Sequence, residues 1–242
     1  MEVALLTVGD ELLAGDTENT NATWLARQLT ERGVTVARIL VVPDARPLIA
    51  STVREWAARF DGVIVTGGLG GTHDDVTMAA VADAFDTGLT TEEFVVEDVV
   101  RTVATYRDRN PELVDRYELD LDIDAWAATP EGSRSLLNEP GLCPGCVLEN
   151  VYVFPGVPEE MKSMFESVAE AFDGDAVSEI VETDAPEGAM PDVLAEARDR
   201  FDIVLGSYPA QDGPNRVKIT GNDPAEVRTA AAWVEDRIPG DR

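Results

Sequence analysis

The segment GVIVTGGLGGTHDDVT, residues 62–77, decides the fold of this chain. It begins with an apolar run, Gly62–Thr66, that is typical of a buried parallel strand, and it leads into a helix predicted from Asp75 to Phe85. Four of the five residues at positions 67–71 are glycines. Such a loop lets backbone N–H groups point inward, and the helix start adds roughly half a positive charge. The segment therefore predicts a phosphate-binding loop, with a tight connection that needs positive φ angles as the alternative.

Two further strand-helix units precede this segment. Strands are predicted at Val3–Val8 and Val34–Val42, and the helices that follow them at Asn21–Arg32 and Pro47–Phe60. Three such units in a row require right-handed crossovers and place helices on both faces of one sheet. The expected fold class is therefore α/β, with a three-layer, Rossmann-like parallel sheet.

The rest of the chain predicts a less regular middle and a second domain. Turn-forming residues accumulate at 129–133 and 138–145, and both segments are predicted to be loops. The other middle elements are a strand at Val151–Phe154 and helices at Glu92–Arg107, Pro111–Tyr117 and Glu159–Phe172. A composition break separates residues 1–172 from a small α+β domain, residues 176–238. Its β-α-β-β-α elements are expected at Val177–Val181, Pro191–Arg200, Asp202–Ser207, Arg216–Thr220 and Pro224–Ile238.

The charge of the chain limits its partners. It has 19 Lys and Arg against 47 Asp and Glu, a formal net charge of −28, and its only lysines are Lys162 and Lys218. Nucleic acids and anionic membranes bind clustered basic side chains, so neither is an expected partner. Without a basic leader or a long apolar segment, the protein is expected to be cytoplasmic. A halophilic cytosol would suit so acidic a chain, because molar salt shortens the Debye length to ~3 Å.

The two cysteines form one Cys143-Pro-Gly-Cys146 sequence. A zinc site needs roughly four ligands, so this pair supplies half of one, and His73 is the only histidine. A redox dithiol needs the pair at a helix start after a strand, which residues 139–142 do not predict. We therefore interpret the pair as a tight turn that carries two thiols.

Acidic side chains follow the strands at the sheet edge where ligands bind. Asp10 and Glu11 follow the first strand, Asp44 follows the second, and Asp74 and Asp75 close the glycine loop. One aspartate at a helix start is commonly an N-cap, but a second one repels a bound phosphate unless a divalent cation bridges them. The pair predicts a metal-assisted phosphate site. The three earlier acids are candidates for further metal ligands, for orienting a nucleophile, or for solvated loop acids.

His73 distinguishes the glycine loop from two common phosphate-binding motifs. It stands where a dinucleotide fingerprint has its third glycine, and the loop also lacks the GK[ST] of a P-loop. As the one histidine it is a candidate general base or phosphate contact, with a surface turn residue as the alternative.

Four motifs, in order, resemble the MoaB/Mog (molybdopterin-binding) domain family over about residues 1–172. They are GDELL at 9–13 with Gly15 and Thr20-Asn21, VPD at 42–44, TGGLGGTHDDVT at 66–77 and FPGVP at 154–158. Within that family the chain is most similar to CinA-like proteins and to the molybdopterin-binding-like region of FAD synthase. The likeness to FAD synthase extends to GSYP at 206–209. Gly71 departs from the proline that is usual in these relatives.

The resemblance implies a divalent-metal-dependent pyrophosphatase that cleaves the diphosphate of ADP-ribose or FAD-like substrates. The acids that it assigns to metal binding are Asp74, Asp75, Asp44 and Glu11, and the aspartates among them are also assigned to catalysis. The implied substrate contacts are Gly9, Asp10, Asn21, Gly67, Gly68, Gly70, Gly71, Thr72, Ser133 and Asn138. Mg²⁺ or another divalent ion is the implied cofactor, with K⁺ as a further candidate.

Two alternatives stay open. Molybdopterin binding or adenylylation is one, because it too involves a phosphoanhydride next to an adenylate. A non-catalytic nucleotide-binding or pterin-binding module is the other. In each case the expected partner is a small phosphorylated nucleotide or pterin. The resemblance also implies a homo-oligomer, either a dimer as in CinA-like proteins or a trimer as in small family members.

Overall fold

The structure, a computed structural model, describes residues 1–70, 75–109, 122–210 and 213–238. The chain divides into two compact units, of which the larger comprises Met1–Glu31 and Thr35–Phe172 and the smaller comprises Arg32–Val34 and Asp173–Arg242. The helix predicted at Pro111–Tyr117 lies outside the described residues. Within the described ranges, no helix combines the length and the apolar character needed to cross a bilayer.

The larger unit alternates strands and helices, as its sequence pattern predicts. Its strands are β1 (Glu2–Val8), β2 (Thr35–Val42), β3 (Gly62–Thr66), β4 (Leu89–Thr90), β5 (Thr129–Pro130), β6 (Arg134–Leu136), β7 (Gly145–Leu148) and β8 (Val151–Phe154). Its helices are α1 (Asp10–Ala14), α2 (Thr20–Glu31), α3 (Arg46–Ala57), α4 (Thr77–Ala84), α5 (Glu93–Arg109), α6 (Ile123–Ala127) and α7 (Pro158–Glu166).

Six of these strands form one sheet in the order β2-β1-β3-β8-β7-β6. The first four run parallel, whereas β7 and β6 are antiparallel to their neighbours. The predicted α/β class is confirmed, with the correction that the sheet is mostly parallel and has an antiparallel edge. Every residue of β3 is buried. Burial on both faces explains the apolar run from Gly62 to Val65.

Helices cover both faces of this sheet. On one face, Leu6 of β1 packs in a core cluster with Val53 of α3 and Val81 of α4. Successive side chains of a strand point to opposite faces, so Leu5 points to the other face, where it is also buried. Phe165 of α7 is fully buried and meets Trp24 of α2 edge to face at 5.5 Å between ring centroids.

Several short elements differ from the sequence prediction. Helix α1 occupies part of the predicted loop after β1, so Asp10 and Glu11 lie in a helical turn rather than in a loop. Strand β5 and the start of β7 lie in the segments 129–133 and 138–145, which were predicted to be loops. The short strands β3 and β8 were predictable from their apolar runs, whereas α1 and β5 lack such a run and β7 begins at the end of a turn-rich segment.

The smaller unit is an α+β fold, as predicted. It contains strands β9 (Val177–Thr183), β10 (Val204–Tyr208) and β11 (Asn215–Gly221) and helices α8 (Pro191–Arg200) and α9 (Pro224–Arg237). The strands pair antiparallel in the order β10-β11-β9. One core cluster joins both helices to the sheet through buried residues such as Ala197, Ile219 and Val234.

Candidate functional site

A cleft of about 1090 Å³ opens at the carboxyl ends of the parallel strands of the larger unit. Its wall includes Gly9 after β1, Asp44 after β2, Gly67 after β3 and Gly156 after β8. Loops that follow parallel strands meet at this edge, which is where open α/β sheets bind ligands. The cleft is slightly larger than the roughly 300–1,000 Å³ of common small-molecule sites, so it has room for a dinucleotide.

The cleft brings together about half of the site residues predicted from the sequence. Those that line it are Gly9, Glu11, Asn21, Asp44, Gly67, Gly68 and Asp75. Those that are described but do not line it are Asp10, Gly70, Ser133 and Asn138. Those that lie outside the described residues are Gly71, Thr72, His73 and Asp74. Of the predicted aspartate pair, Asp75 alone is therefore placed.

The first two glycines of the loop are required by close packing. Gly67 and Gly68 have φ angles of 94° and 64°, which disfavour other residues. A Cβ on Gly67 would collide with the carbonyl oxygen of Val8, and one on Gly68 would collide with Oγ1 of Thr77. The N–H of Gly67 donates to the carbonyl oxygen of Phe154 at 3.2 Å. This N–H therefore joins the loop after β3 to the end of β8. The phosphate-loop prediction required N–H groups that point into the cleft, and this N–H does not.

Two carboxylates lie against the same glycine loop. Oδ2 of Asp44 accepts a hydrogen bond from the N–H of Asp10 at 3.0 Å. Its Oδ1 lies 3.3 Å from the position that a Cβ on Gly68 would take. The carboxylate of Asp75 occupies the space where a Cβ on Gly70 would lie. Asp44 and Asp75 therefore flank the backbone of residues 68–70.

Two asparagines fix the start of α2 beside the cleft. Oδ1 of Asn19 accepts the N–H of Ala22 at 3.1 Å and so caps the helix. Nδ2 of Asn21 donates to the carbonyl oxygen of Gly156 at 2.7 Å. Oδ1 of Asn21 and Oγ1 of Thr66 are buried, and no described residue provides them with a hydrogen-bond partner. Buried polar atoms are normally paired, so these two oxygens are exceptions beside the cleft.

Several residues of the cleft wall are not predicted from the sequence. Helix α5 contributes Arg101, Thr102, Thr105 and Tyr106, α6 contributes Trp126, and the segment 139–143 and Glu160 complete this side. The α5 residues lie on one helical face, but nothing in the sequence places that face beside the sheet. Pro155 and Gly156, by contrast, directly follow β8, so the rule that selected the other loops would have found them.

Asn138 supports the cleft from behind its wall. The residue is buried, and its Nδ2 donates to the carbonyl oxygen of Cys143 at 2.9 Å and to Oε2 of Glu160 at 2.7 Å. Because Cys143 and Glu160 both line the cleft, Asn138 positions wall residues and does not itself face the ligand space. Ser133, the other loosely predicted contact, is half-buried away from the cleft wall.

The two cysteines are protonated thiols with different structural positions. Cys143 lines the cleft, and its Sγ donates to the carbonyl oxygen of Leu69 at 3.2 Å. Burial raises its pKa to about 12, and the charges of Glu160 and Asp75 add to the shift. Cys146 is buried in β7, where burial also raises its pKa to about 12. The tight-turn interpretation is therefore wrong for Cys146, which belongs to a strand.

The cleft wall carries a strong excess of negative charge. Its described acids are Glu11, Glu18, Asp44, Asp75, Glu139 and Glu160. Arg101 is the one basic residue among the described wall residues, and it pairs with Asp98 of its own helix. In the four described ranges, no group of three or more His, Cys, Asp or Glu side chains is arranged to hold a metal ion. An anionic ligand would therefore need added cations to enter this cleft.

Comparisons with known proteins agree with the fold. The family model described as a probable molybdopterin binding domain matches residues 4–173. A protein of Archaeoglobus fulgidus is 37% identical over 240 residues, which cover 98% of both chains. A CinA-like protein of Frankia casuarinae is 36% identical over 260 residues. That match covers 97% of this chain but 57% of the longer relative.

A solved structure supports the same assignment for the larger unit. The crystal structure of the protein CinA, of unknown function, from Thermoplasma acidophilum superposes with a TM-score of 0.61 at 29% identity. The match covers 71% of this chain and 97% of that one. The family match spans the sheet, apart from the first two residues of β1, and every cleft-lining loop described above. The chain therefore belongs to the MoaB/Mog family of molybdopterin-binding domains, in its CinA-like branch.

Proposed function

We propose that the cleft binds the diphosphate of a nucleotide such as ADP-ribose or FAD together with a divalent cation, and hydrolyses it. The observation that carries this proposal is the position of Asp44 and Asp75, which line the cleft and lie against the glycine loop. Two carboxylates beside a phosphate repel it unless a cation lies between them. A diphosphate with its metal ion is thus the ligand that best fits this wall.

The donor atoms at this point suit a hard cation. Asp44 and Asp75 offer carboxylate oxygens, and Mg²⁺ takes one or two such ligands and completes its shell with phosphate oxygens and water. It therefore does not need a ready-made group of three protein ligands. The thiol of Cys143, with a pKa of about 12, stays protonated and is a poor ligand for a soft metal. When bound, the cation would neutralise charge that develops on the phosphate oxygens during cleavage.

Other wall residues would bind and orient the rest of the substrate. Tyr106 and Trp126 give the wall flat aromatic surfaces, on which a purine, flavin or pterin ring can stack. Asn21 lines the cleft and is held in place by its hydrogen bond to the carbonyl oxygen of Gly156. Water would attack the adenylate phosphorus, and the P–O bond to the second phosphate would break, so that AMP and the other phosphate fragment leave. Asp44 or Asp75 would take up the proton of this water, since both are close to the glycine loop where the diphosphate would lie.

Molybdopterin binding or adenylylation is the second candidate. The description of the matching family favours it. Adenylyl transfer and the proposed hydrolysis both involve a phosphoanhydride next to an adenylate. They differ in the attacking group, which is water in hydrolysis and a pterin phosphate in adenylyl transfer. The cleft residues named above would serve either reaction.

An assay for AMP release tests the proposal. The protein is incubated in high KCl with Mg²⁺, Mn²⁺ or Co²⁺ and with FAD, ADP-ribose, NAD or ATP. We expect AMP from at least one diphosphate, dependent on the metal, and no AMP from Asp75→Asn, whose metal-free nucleotide affinity should change little. Asp16→Asn removes an exposed acid that does not line the cleft and should keep full activity. No AMP from any nucleotide would discard hydrolysis and favour pterin binding.

A further inference from the structure

Strand β2 forms an exposed edge of the six-stranded sheet. In the described part of the chain its one sheet neighbour is β1, so the other side of β2 is open. Ile39 is 50% exposed and Leu40 is 40% exposed, although both lie in an apolar strand. An open edge presents a row of unpaired N–H and C=O groups that can pair with another strand.

Edge strands are usually protected by bulges and charged side chains, and β2 has these features only at its start. Its register with β1 shifts between the pairs Val3-Val36 and Ala4-Arg38, which leaves Ala37 as an extra, bulged residue. From Arg38 to Val42 the pairing is regular, and Arg38 is the one charged residue there. The opposite edge of the sheet, β6, has three residues. Of the two edges, β2 alone is therefore long enough to pair with a further strand.

The charge pattern favours a second copy of this chain as the partner. Residues 33–43 contain no Asp or Glu, although the chain has 47 of them and a net charge of −28. Two such chains repel each other over most of their surfaces. Along β2 an approaching copy meets apolar side chains and Arg38 instead of carboxylates. A two-fold contact uses the same segment of both chains, so the assembly stops at two copies and neither β2 edge stays open.

We propose that two copies of the chain pair antiparallel through Arg38–Val42 across a two-fold axis and join their sheets into one. The axis passes beside Leu40, so that each Leu40 faces its counterpart in the other copy. Ile39 then faces Val41, and Arg38 faces Val42, so no two arginines are opposed. Directly opposed residues of antiparallel strands have Cα atoms about 4.5–5.5 Å apart, which makes position 40 a sensitive probe of this arrangement.

Size-exclusion chromatography with light scattering tests the dimer. The unmodified chain should have twice its mass of 26.1 kDa, and its dissociation constant should fall as KCl screens the net charge. Leu40→Glu places two carboxylates opposite each other and should weaken the dimer at least about 100-fold. Leu137→Glu changes a leucine of similar exposure, 44%, next to the opposite edge and should leave the dimer intact.

Cross-linking keeps the test decisive if Leu40→Glu does not fold. Leu40→Cys should form an intermolecular disulfide under mild oxidation, whereas Leu13→Cys, at a position that is 54% exposed, should not. The proposal is overturned if the unmodified chain is a monomer or a trimer at every concentration. It is also overturned if a folded Leu40→Glu variant dimerises as tightly as the unmodified chain, or if Leu40→Cys fails to cross-link within the dimer.

Discussion

Oδ2 of Asp44 accepts a hydrogen bond of 3.0 Å from the backbone N–H of Asp10. That N–H belongs to the first turn of α1, where unpaired donors and the helix dipole favour a negative partner. The other oxygen of Asp44 lies beside Gly68 in the loop after β3. One aspartate thus connects the turns that follow three strands, and it has a structural role beside the catalytic role proposed for it.

Substitutions of Asp44 should separate these two roles. Asp44→Ala removes the acceptor of the Asp10 N–H and should lower the free energy of unfolding by about 1 kcal/mol, as loss of a helix cap does. Asp44→Asn keeps an acceptor oxygen and should cost less. Both variants should lose metal-dependent AMP release. Urea denaturation measures the effect on stability, and the AMP assay measures the effect on catalysis. A fully active Asp44→Asn variant would refute the catalytic role of Asp44 but not its structural role.

Gly67→Ala should destabilise the larger unit. A residue other than glycine at a φ of 94° is strained by roughly 1–2 kcal/mol, and the new Cβ would also collide with the carbonyl oxygen of Val8. We therefore expect a loss of more than about 2 kcal/mol in thermal or urea unfolding. Gly188→Ala is the control, because a Cβ there has no atom within 4 Å and its φ is not positive. Equal stability of the two variants would contradict the described loop geometry.

The cysteines should make stability depend on alkaline pH. Burial raises the pKa of Cys143 and Cys146 from 9.0 to about 12, so between these values the folded protein keeps protons that the unfolded chain releases. The stabilising contribution is fully present below pH 9 and is lost as pH rises towards 12. The free energy of unfolding should fall over this range, and less steeply in a Cys143→Ser, Cys146→Ala variant.

The same burial should suppress thiol chemistry in the native state. Near pH 8 a thiol reagent should modify both cysteines slowly in the folded protein and rapidly after denaturation, because the thiolate is the reacting form. Rapid labelling of the native protein would show that at least one of these thiols is ionised, contrary to its raised pKa.

Asn138→Ala should weaken the wall of the cleft without removing a ligand contact. The substitution leaves the carbonyl oxygen of Cys143 and the carboxylate of Glu160 without their shared donor, and should cost about 1–3 kcal/mol of unfolding free energy. AMP release should fall mainly through a higher KM, because Glu160 loses its position. Asn138→Asp, which places a second carboxylate next to Glu160, should be worse than Asn138→Ala. The reverse order would contradict the positioning role.

The sheet was predictable where burial imposes a pattern. β1, β3 and β8 are buried parallel strands with continuous apolar runs, and their predicted bounds agree with the structure to within one residue. β6 and β7 gave no such signal, because β6 has the mixed sequence RSL and β7 begins at the end of the turn-rich segment 138–145. Helix α1 has five residues, which is too few to show a helical period, so its segment is predicted to be a loop.

The site was predictable only in part, for a related reason. The rule that ligands bind after parallel strands selects Glu11, Asp44 and Asp75, and all three line the cleft. It cannot select Arg101 or Glu160, because these residues reach the cleft through the packing of whole helices. Nor does it show that Asn138 lies behind the wall, which depends on side-chain contacts within the fold.

The sequence by itself determined the α/β class, the family, and the edge of the sheet at which the site lies. These depend on local features, namely apolar runs, helical periods, glycines and short motifs, which are encoded by neighbouring residues. Only the tertiary structure decided that Gly67 donates to Phe154, that Asn21 donates to Gly156, and that β2 remains open. The asparagine contact joins residues 135 positions apart. Such contacts depend on how the elements pack, and no local pattern specifies them.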